Sequence, residues 1–357
     1  VKNAIKLVVS LAITGACFWW TFKDTHWAEM WNSVRTANYL LLLPYLGILT
    51  LVHLTRTLRW GSLLSGIEKV PFQPLNEAAG IGFMMLIVLP FRLGEFARPF
   101  LIAERSKIRR SAAMTSVVFE RIVDGISIAI MLRLLLFFVP NTSPEINRIN
   151  WGANLMFAVF GGGLLFLLFA RWQHDRAVRL ISATAGRISP KLGDKVAHVV
   201  DGFVGAMKQL PDTKNLIAFF AMTAGYWALN GVGISLLANA FDCHGAVGSC
   251  EPLSLSVFQG FVVLGVLIIG LMIPAAPGSA GTFQAFIILG LRAFLPAVVV
   301  NSSGVAFANV LWVVQILQQV LFGLVLMLLS KGNFKGITGK LSKEEDDDAP
   351  KEARGAA

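Results

Sequence analysis

Charge is scarce in this sequence. Only 15% of its 357 residues are Asp, Glu, Lys or Arg, against 55% hydrophobic residues. Soluble domains carry about 25% charged residues, so a chain this poor in charge lacks the material for a fully water-facing surface. Cysteine is nearly absent too: three residues, too few for a disulfide framework. The five histidines are scattered and no His-Glu-x-x-His occurs, so no metal site is recognisable. The chain also lacks a Gly-x4-Gly-Lys-Ser/Thr phosphate loop and a Gly-x-Ser-x-Gly nucleophile elbow. These absences argue against an ATP-driven machine and against the common hydrolases. No cofactor, metal or catalytic residue is expected.

Long apolar runs fill the chain instead. The segments near 4–22, 38–55, 111–139, 151–170, 215–241 and 304–330 reach or approach the roughly 20 apolar residues needed to cross hydrocarbon. They predict an all-α polytopic membrane protein with about six full spans. Two other apolar pieces are punctuated. Residues 76–90 end in Pro90-Phe91-Arg92-Leu93-Gly94, and residues 255–274 end in Pro274-Ala275-Ala276-Pro277-Gly278, each followed by more apolar chain. Proline removes a backbone donor and breaks a helix. Broken helices at membrane depth line protein-enclosed cavities, so both pieces are expected to be re-entrant or broken helical hairpins. A plain eight-span bundle is the alternative.

The net charge of +10 is not a nucleic-acid footprint, because the basic residues flank spans. Arg105, Lys107, Arg109 and Arg110 precede the third span, and Arg171, Arg176 and Arg179 follow the fourth. The loops at 140–150 and 242–253 hold one basic residue, Arg148. This asymmetry predicts cytoplasmic N- and C-termini. It also puts the first hairpin on the cytoplasmic side and the second on the outer side, the pattern of an inverted repeat with a midplane site. Residues 1–335 are expected to form one transmembrane domain. Within it, 172–210 is expected to form a cytoplasmic amphipathic insertion, and 336–357 a charged, disordered tail. The first apolar stretch carries no evident cleavage site and is expected to be retained. Cys243 and Cys250 flank a short outer loop and could form a disulfide.

The chemistry concentrates in ionisable residues inside apolar sequence. Glu120, Arg121 and Asp124 fall within one span, where each charge costs about 2.5–3.5 kcal/mol on insertion scales. They either line a polar path or form a packing network of ion pairs. Arg92, Glu95 and Arg98 surround Gly94, and two arginines beside a helix start suit a phosphate. An interfacial basic cluster is the competing reading, and for Arg56 and Arg59 it is the preferred one. In the second hairpin, Pro277, Gly278, Gly281 and Gln284 form a small, glycine-rich turn whose N–H groups could receive an anion.

Taken in order, Pro90-x-Arg92-x-Gly94-Glu95-x-x-Arg98, Glu120-Arg121-x-x-Asp124 and Pro274-x-x-Pro277-Gly278-x-x-Gly281 resemble the transmembrane region of lysylphosphatidylglycerol synthases, a flippase-like family. The resemblance covers roughly residues 5–330. It implies re-entrant helices, a bacterial inner-membrane location and transfer of lipids between leaflets. The soluble aminoacyltransferase domain of the best-known members is not in this sequence, so synthase activity is not expected. Gln284 departs from the pattern, many members having Glu there, and leaves no acid at that position to grip an aminoacyl ammonium. The expected function is therefore a lipid translocator, without an ATPase, for an anionic or phosphate-bearing headgroup. The rival readings are an accessory subunit docking a cytoplasmic biosynthetic enzyme and a membrane-embedded transferase acting on a lipid-linked substrate. The orientation is testable by fusions. Green fluorescent protein joined after Leu341 should fluoresce and alkaline phosphatase joined there should be inactive; an active phosphatase would invert the assignment.

Overall fold

The computed structural model describes residues 2–89, 94–140, 143–173, 211–243, 250–273 and 276–330, with no strand among them. The described residues form, in chain order, α1 (Lys2–Phe22), α2 (Trp27–Thr36), α3 (Leu42–Leu64, entered through a 3-10 turn at Tyr39–Leu41), α4 (Phe72–Val88), α5 (Gly94–Arg105), α6 (Arg110–Phe137), α7 (Pro144–Trp172), α8 (Thr213–Ala238), α9 (Val257–Leu271), α10 (Thr282–Arg292) and α11 (Ala297–Leu329). Among the described residues, a π-helical turn at Val300–Gly304 interrupts α11.

Local sequence sets the helix ends. Ser143 accepts a hydrogen bond from the Ile146 N–H ahead of Pro144, which occupies the first helical position of α7. Asp212 caps α8 through the Asn215 N–H. Ser256 and Gln259 form a reciprocal capping box that starts α9. At the end of α4, Leu89 is extended (φ −81°, ψ 139°), the conformation imposed on a residue that precedes proline.

Among the described residues, four helices are both long and apolar enough to cross a membrane: Tyr39–Leu64, Pro144–Phe166, Thr213–Ala238 and Ala297–Leu329. The expected count was about six. The 111–139 segment does form a 28-residue helix, α6, about 42 Å long. Its charges, Glu120, Arg121 and Asp124 among them, keep it out of the apolar set.

The two punctuated segments fold as helix pairs. α4 packs antiparallel on α5, and α9 on α10. The α4–α5 contact is tight because glycines line it. A Cβ on Gly94 would lie 2.0 Å from the Leu86 backbone nitrogen, and one on Gly82 would lie 2.2 Å from Cγ of Arg98. The open end of the first pair is fastened where Arg105 donates to Glu77 and, at 2.6 Å, to Ser330 Oγ beyond the C-terminal end of α11. The open end of the second pair lies at the other end of α11, where Arg292 reaches Asn301 Oδ1 at 3.4 Å. The pairs therefore enter the bundle from opposite ends of a helix about 50 Å long. Between them α3 packs along α8, while α4 lies on α11 and α9 on α6.

Residues 23–37 separate the first two apolar runs of the sequence. The structure forms α2 there, too short and too polar to register as a span. Trp27 and Trp31 are exposed on it, and Ser33 is buried at 2.8 Å from Ser303 Oγ. Cys243 and Cys250 are joined by a disulfide, and Cys250 Sγ lies 3.4 Å from Ser33 Oγ. The amphipathic helix expected within 172–210, the tail at 336–357 and the motif residues Pro90, Arg92 and Pro274 lie outside the described residues.

Gly82→Leu should drive a side chain into Arg98 and destabilise the protein by about 1–3 kcal/mol or more, as overpacking does. A fall in the midpoint of thermal unfolding in detergent checks this; an unchanged midpoint would contradict the tight α4–α5 contact.

Candidate functional site

On α6, Ser116, Glu120 and Asp124 recur every fourth residue and so share one helix face. Trp60 of α3 donates to Ser116 Oγ at 3.0 Å. One position earlier on α3, Arg59 spans both carboxylates: Nη1 to Asp124 Oδ1 at 2.5 Å, Nη2 to Asp124 Oδ2 at 3.1 Å and Nη2 to Glu120 Oε1 at 2.7 Å. Arg59 and Glu120 are both 0% exposed. Planar guanidinium and planar carboxylate match as a fork, which makes such pairs short and strong.

Arg98 of α5 reaches the other oxygen of Glu120, Nη2 to Oε2 at 3.1 Å, and is 2% exposed. Its Cζ stacks 4.4 Å from the Trp60 ring and 4.7 Å from Phe83. Arg121 lies 3.7 Å from Glu120 and 3.9 Å from Asp124. Three guanidiniums thus surround Glu120, and two approach Asp124. A fourth, Arg56, stacks with its Cζ 3.5 Å from the centre of the Phe83 ring. Among the described residues it has neither a carboxylate partner nor a hydrogen-bond acceptor. Counting Glu95, whose charge also acts on Arg121, four guanidiniums stand against three carboxylates, a surplus of one.

This network backs a cavity of about 520 Å³ in the middle of the bundle. The inner tips of both helix pairs reach it, through Leu86, Ile87 and Glu95 on one side and Leu271, Met272, Gly278 and Ser279 on the other. Arg56, Arg121 and Asp124 line it, together with Tyr226, Asn230 and the α11 glutamines Gln315, Gln318 and Gln319. The rest of the lining is largely aliphatic and aromatic, so the space offers an apolar enclosure with one cationic patch.

The sequence-predicted residues separate into three groups. Glu95, Arg121, Asp124 and Gly278 line the cavity. Arg98 and Glu120 do not: they are buried behind its wall and paired to each other. Gly94, Pro277, Gly281 and Gln284 shape the backbone. Gly94 permits the α4–α5 contact. Pro277 opens a 3-10 turn in which Gly278 has φ 65°, a left-handed conformation suited to glycine. The Gly278 carbonyl accepts from Trp312 Nε1 at 2.8 Å. Gly281 (φ 82°) precedes α10, and its N–H donates to Gln284 Oε1 at 2.9 Å. Gln284 is 1% exposed and caps α10. Arg92 lies outside the described residues.

The second apolar run of the sequence ends near residue 55, which puts Arg56 and Arg59 at the interface rather than in the site. The helix continues to Leu64. The apolar residues that follow each arginine, Leu58 and then Trp60, Leu63 and Leu64, carry that signal. The α11 glutamines were passed over because they are uncharged. All three nevertheless cluster within five residues of a strongly apolar helix, where polar groups need a purpose.

Comparison with known proteins bears on this site. No curated protein and no solved structure matches the chain. The family model described as the lysylphosphatidylglycerol synthase TM region matches residues 7–328, a span that takes in both helix pairs, the ion network and the whole cavity wall. The chain is a multi-pass membrane protein that belongs to the lysylphosphatidylglycerol synthase TM region family.

Proposed function

We propose that this protein moves an anionic lipid headgroup across the membrane through the central cavity, without ATP hydrolysis. The observation that carries the reading is the surplus of guanidinium at that cavity. Arg56 and Arg121 line it, Arg56 is without an anionic partner among the described residues, and the two carboxylates of the cluster are already engaged. A guanidinium held in low dielectric attracts a phosphate far more strongly than it would in water. The aliphatic and aromatic remainder of the lining suits the glycerol and upper acyl region of a lipid.

The two helix pairs supply the route. Each has its tip at the cavity and its open end at an opposite end of the bundle, so a headgroup at the tips is separated from either surface by one pair. We read the pairs as re-entrant hairpins of an inverted repeat. The exchange of contacts supports this: α4 of the first half lies on α11 of the second, α9 of the second lies on α6 of the first, and α3 meets α8. With the disulfide loop on the outer face, where oxidising conditions allow such a bond, the termini and the Arg105–Glu77 end are cytoplasmic in a bacterial inner membrane. The engagement of Glu120 and Asp124 by arginine favours translocation over a transferase, because neither is presented as a free general base.

The test is lipid scrambling in liposomes holding purified protein, read with tail-labelled anionic lipid and a membrane-impermeant quencher. Arg56→Gln should slow transfer by about 10- to 100-fold, the worth of one charge-assisted hydrogen bond, while leaving the unfolding midpoint near that of the wild type. Transfer at the wild-type rate by the folded variant would remove Arg56 from the path. Wild-type protein that moves no anionic lipid would end the translocator reading.

Glu120→Ala should behave differently. It leaves Arg98 without its carboxylate and takes one of two from Arg59 and Arg121, and breaking a buried pair costs about 3–5 kcal/mol. Its signature is a lowered unfolding midpoint; a variant as stable as wild type would show that the network is not structural.

A further inference from the structure

The cavity wall carries a second chemical feature that charge does not explain. Asn230 and the α11 residues Gln315, Gln318 and Gln319 all reach the same space. Asn230 spends its amide N–H on the Tyr226 carbonyl at 2.7 Å, and Gln315 spends one on the Tyr45 hydroxyl at 3.0 Å. Neither side-chain carbonyl accepts a hydrogen bond among the described residues. Gln318 and Gln319 make no hydrogen bond there at all. The wall therefore presents four amide acceptors and several amide donors beside the Arg56 and Arg121 patch.

An amide both donates and accepts, which matches a hydroxyl. It matches an ammonium poorly, because only its acceptor half can be used. The carboxylates that would welcome an ammonium are committed: Asp124 is held by Arg59 at 2.5 Å and 3.1 Å, and Glu95 has a partner of its own. Four guanidiniums nearby would repel a second positive charge. A headgroup without hydroxyls would leave the amides desolvated and unpaired, the situation by which polar sites reject analogues.

Resting on the translocator reading above, we infer that the site selects lipids whose anionic phosphodiester carries a hydroxyl-bearing headgroup, a glycerol or a sugar, over those carrying an amine or a bare alkyl group. The phosphate meets Arg56 and Arg121, and the hydroxyls meet Gln318, Gln319, Gln315 and Asn230.

The experiment uses the full chain in phosphatidylcholine liposomes with trace tail-labelled probes. Phosphatidylglycerol and phosphatidylinositol test the glycerol and sugar forms. Phosphatidylmethanol has the same charge without hydroxyls, and lysylphosphatidylglycerol adds an ammonium. Wild-type protein should transfer at least one of the two hydroxylated lipids about tenfold or more faster than phosphatidylmethanol, the size expected from one or two net hydrogen bonds, and faster than the lysyl form. The double variant Gln318→Leu, Gln319→Leu should bring the ratio of hydroxylated lipid to phosphatidylmethanol to about one. A wild-type ratio near one, or a preference for the lysyl form, would overturn the inference while leaving translocation intact. A ratio that survives in the folded double variant would overturn the assignment to these amides. Failure of the wild type to move any probe would instead sink the translocator reading itself.

Discussion

Arg59 lies between Glu120 and Asp124 with no contact to solvent, and the arrangement of the bundle follows from that fact. Each of these groups would be expensive alone at membrane depth. Together they are tolerable only if the fork of the guanidinium meets both carboxylates in good geometry. That requirement fixes the register of α3 against α6 to within a fraction of a helical turn. Trp60 donating to Ser116 one turn away repeats the same register with neutral groups. Arg98 then ties α5, and with it the first helix pair, to Glu120.

The position of that pair decides what the cavity is. Arg98 can reach Glu120 only because Gly82 leaves room for its stem and Gly94 lets α5 start flush against α4. The ion pair and the two glycines therefore act as one device, placing Leu86, Ile87 and Glu95 at the cavity. On the opposite side there are no charges to do this. The second tip is held by backbone geometry: left-handed Gly278 and Gly281, the Gln284 cap, and Trp312 bonded to the Gly278 carbonyl. One tip is charged and clamped by arginine, the other uncharged among the described residues and clamped by amide and indole groups. That asymmetry gives the cavity a cationic wall facing a polar, uncharged one.

Much of this was legible in the sequence. Proline and glycine located both helix breaks to within a few residues, because local backbone chemistry does not depend on what a segment packs against. Glu120, Arg121 and Asp124 were visible as a cluster because ions in apolar sequence are conspicuous. The partner choice was not visible. Arg98, read as a phosphate ligand, is consumed by Glu120, whereas Arg56, read as interfacial, reaches the cavity beside Phe83. Four arginines lie near two carboxylates across three helices, and no one-dimensional spacing reveals which remains uncommitted. Gln284 illustrates the same limit: its place in a family motif suggested a ligand contact, and the fold uses it to satisfy the Gly281 N–H.

The distinction between committed and uncommitted charge also explains how a cavity can be both stable and receptive. A wall of perfectly neutralised pairs would be inert toward an anion, and a wall of bare arginines would not fold. Here Arg59 and Arg98 are buried deepest and paired closest, at 2.5–3.1 Å, so they contribute stability and little outward field. Arg121, at 3.7 Å and 3.9 Å from its carboxylates, is held loosely enough to turn toward a ligand. Arg56 relies on the faces of Phe83 and Tyr226, an interaction that stabilises the cation without satisfying its N–H donors. Moving outward from Arg59 to Arg56, pairing weakens as access grows.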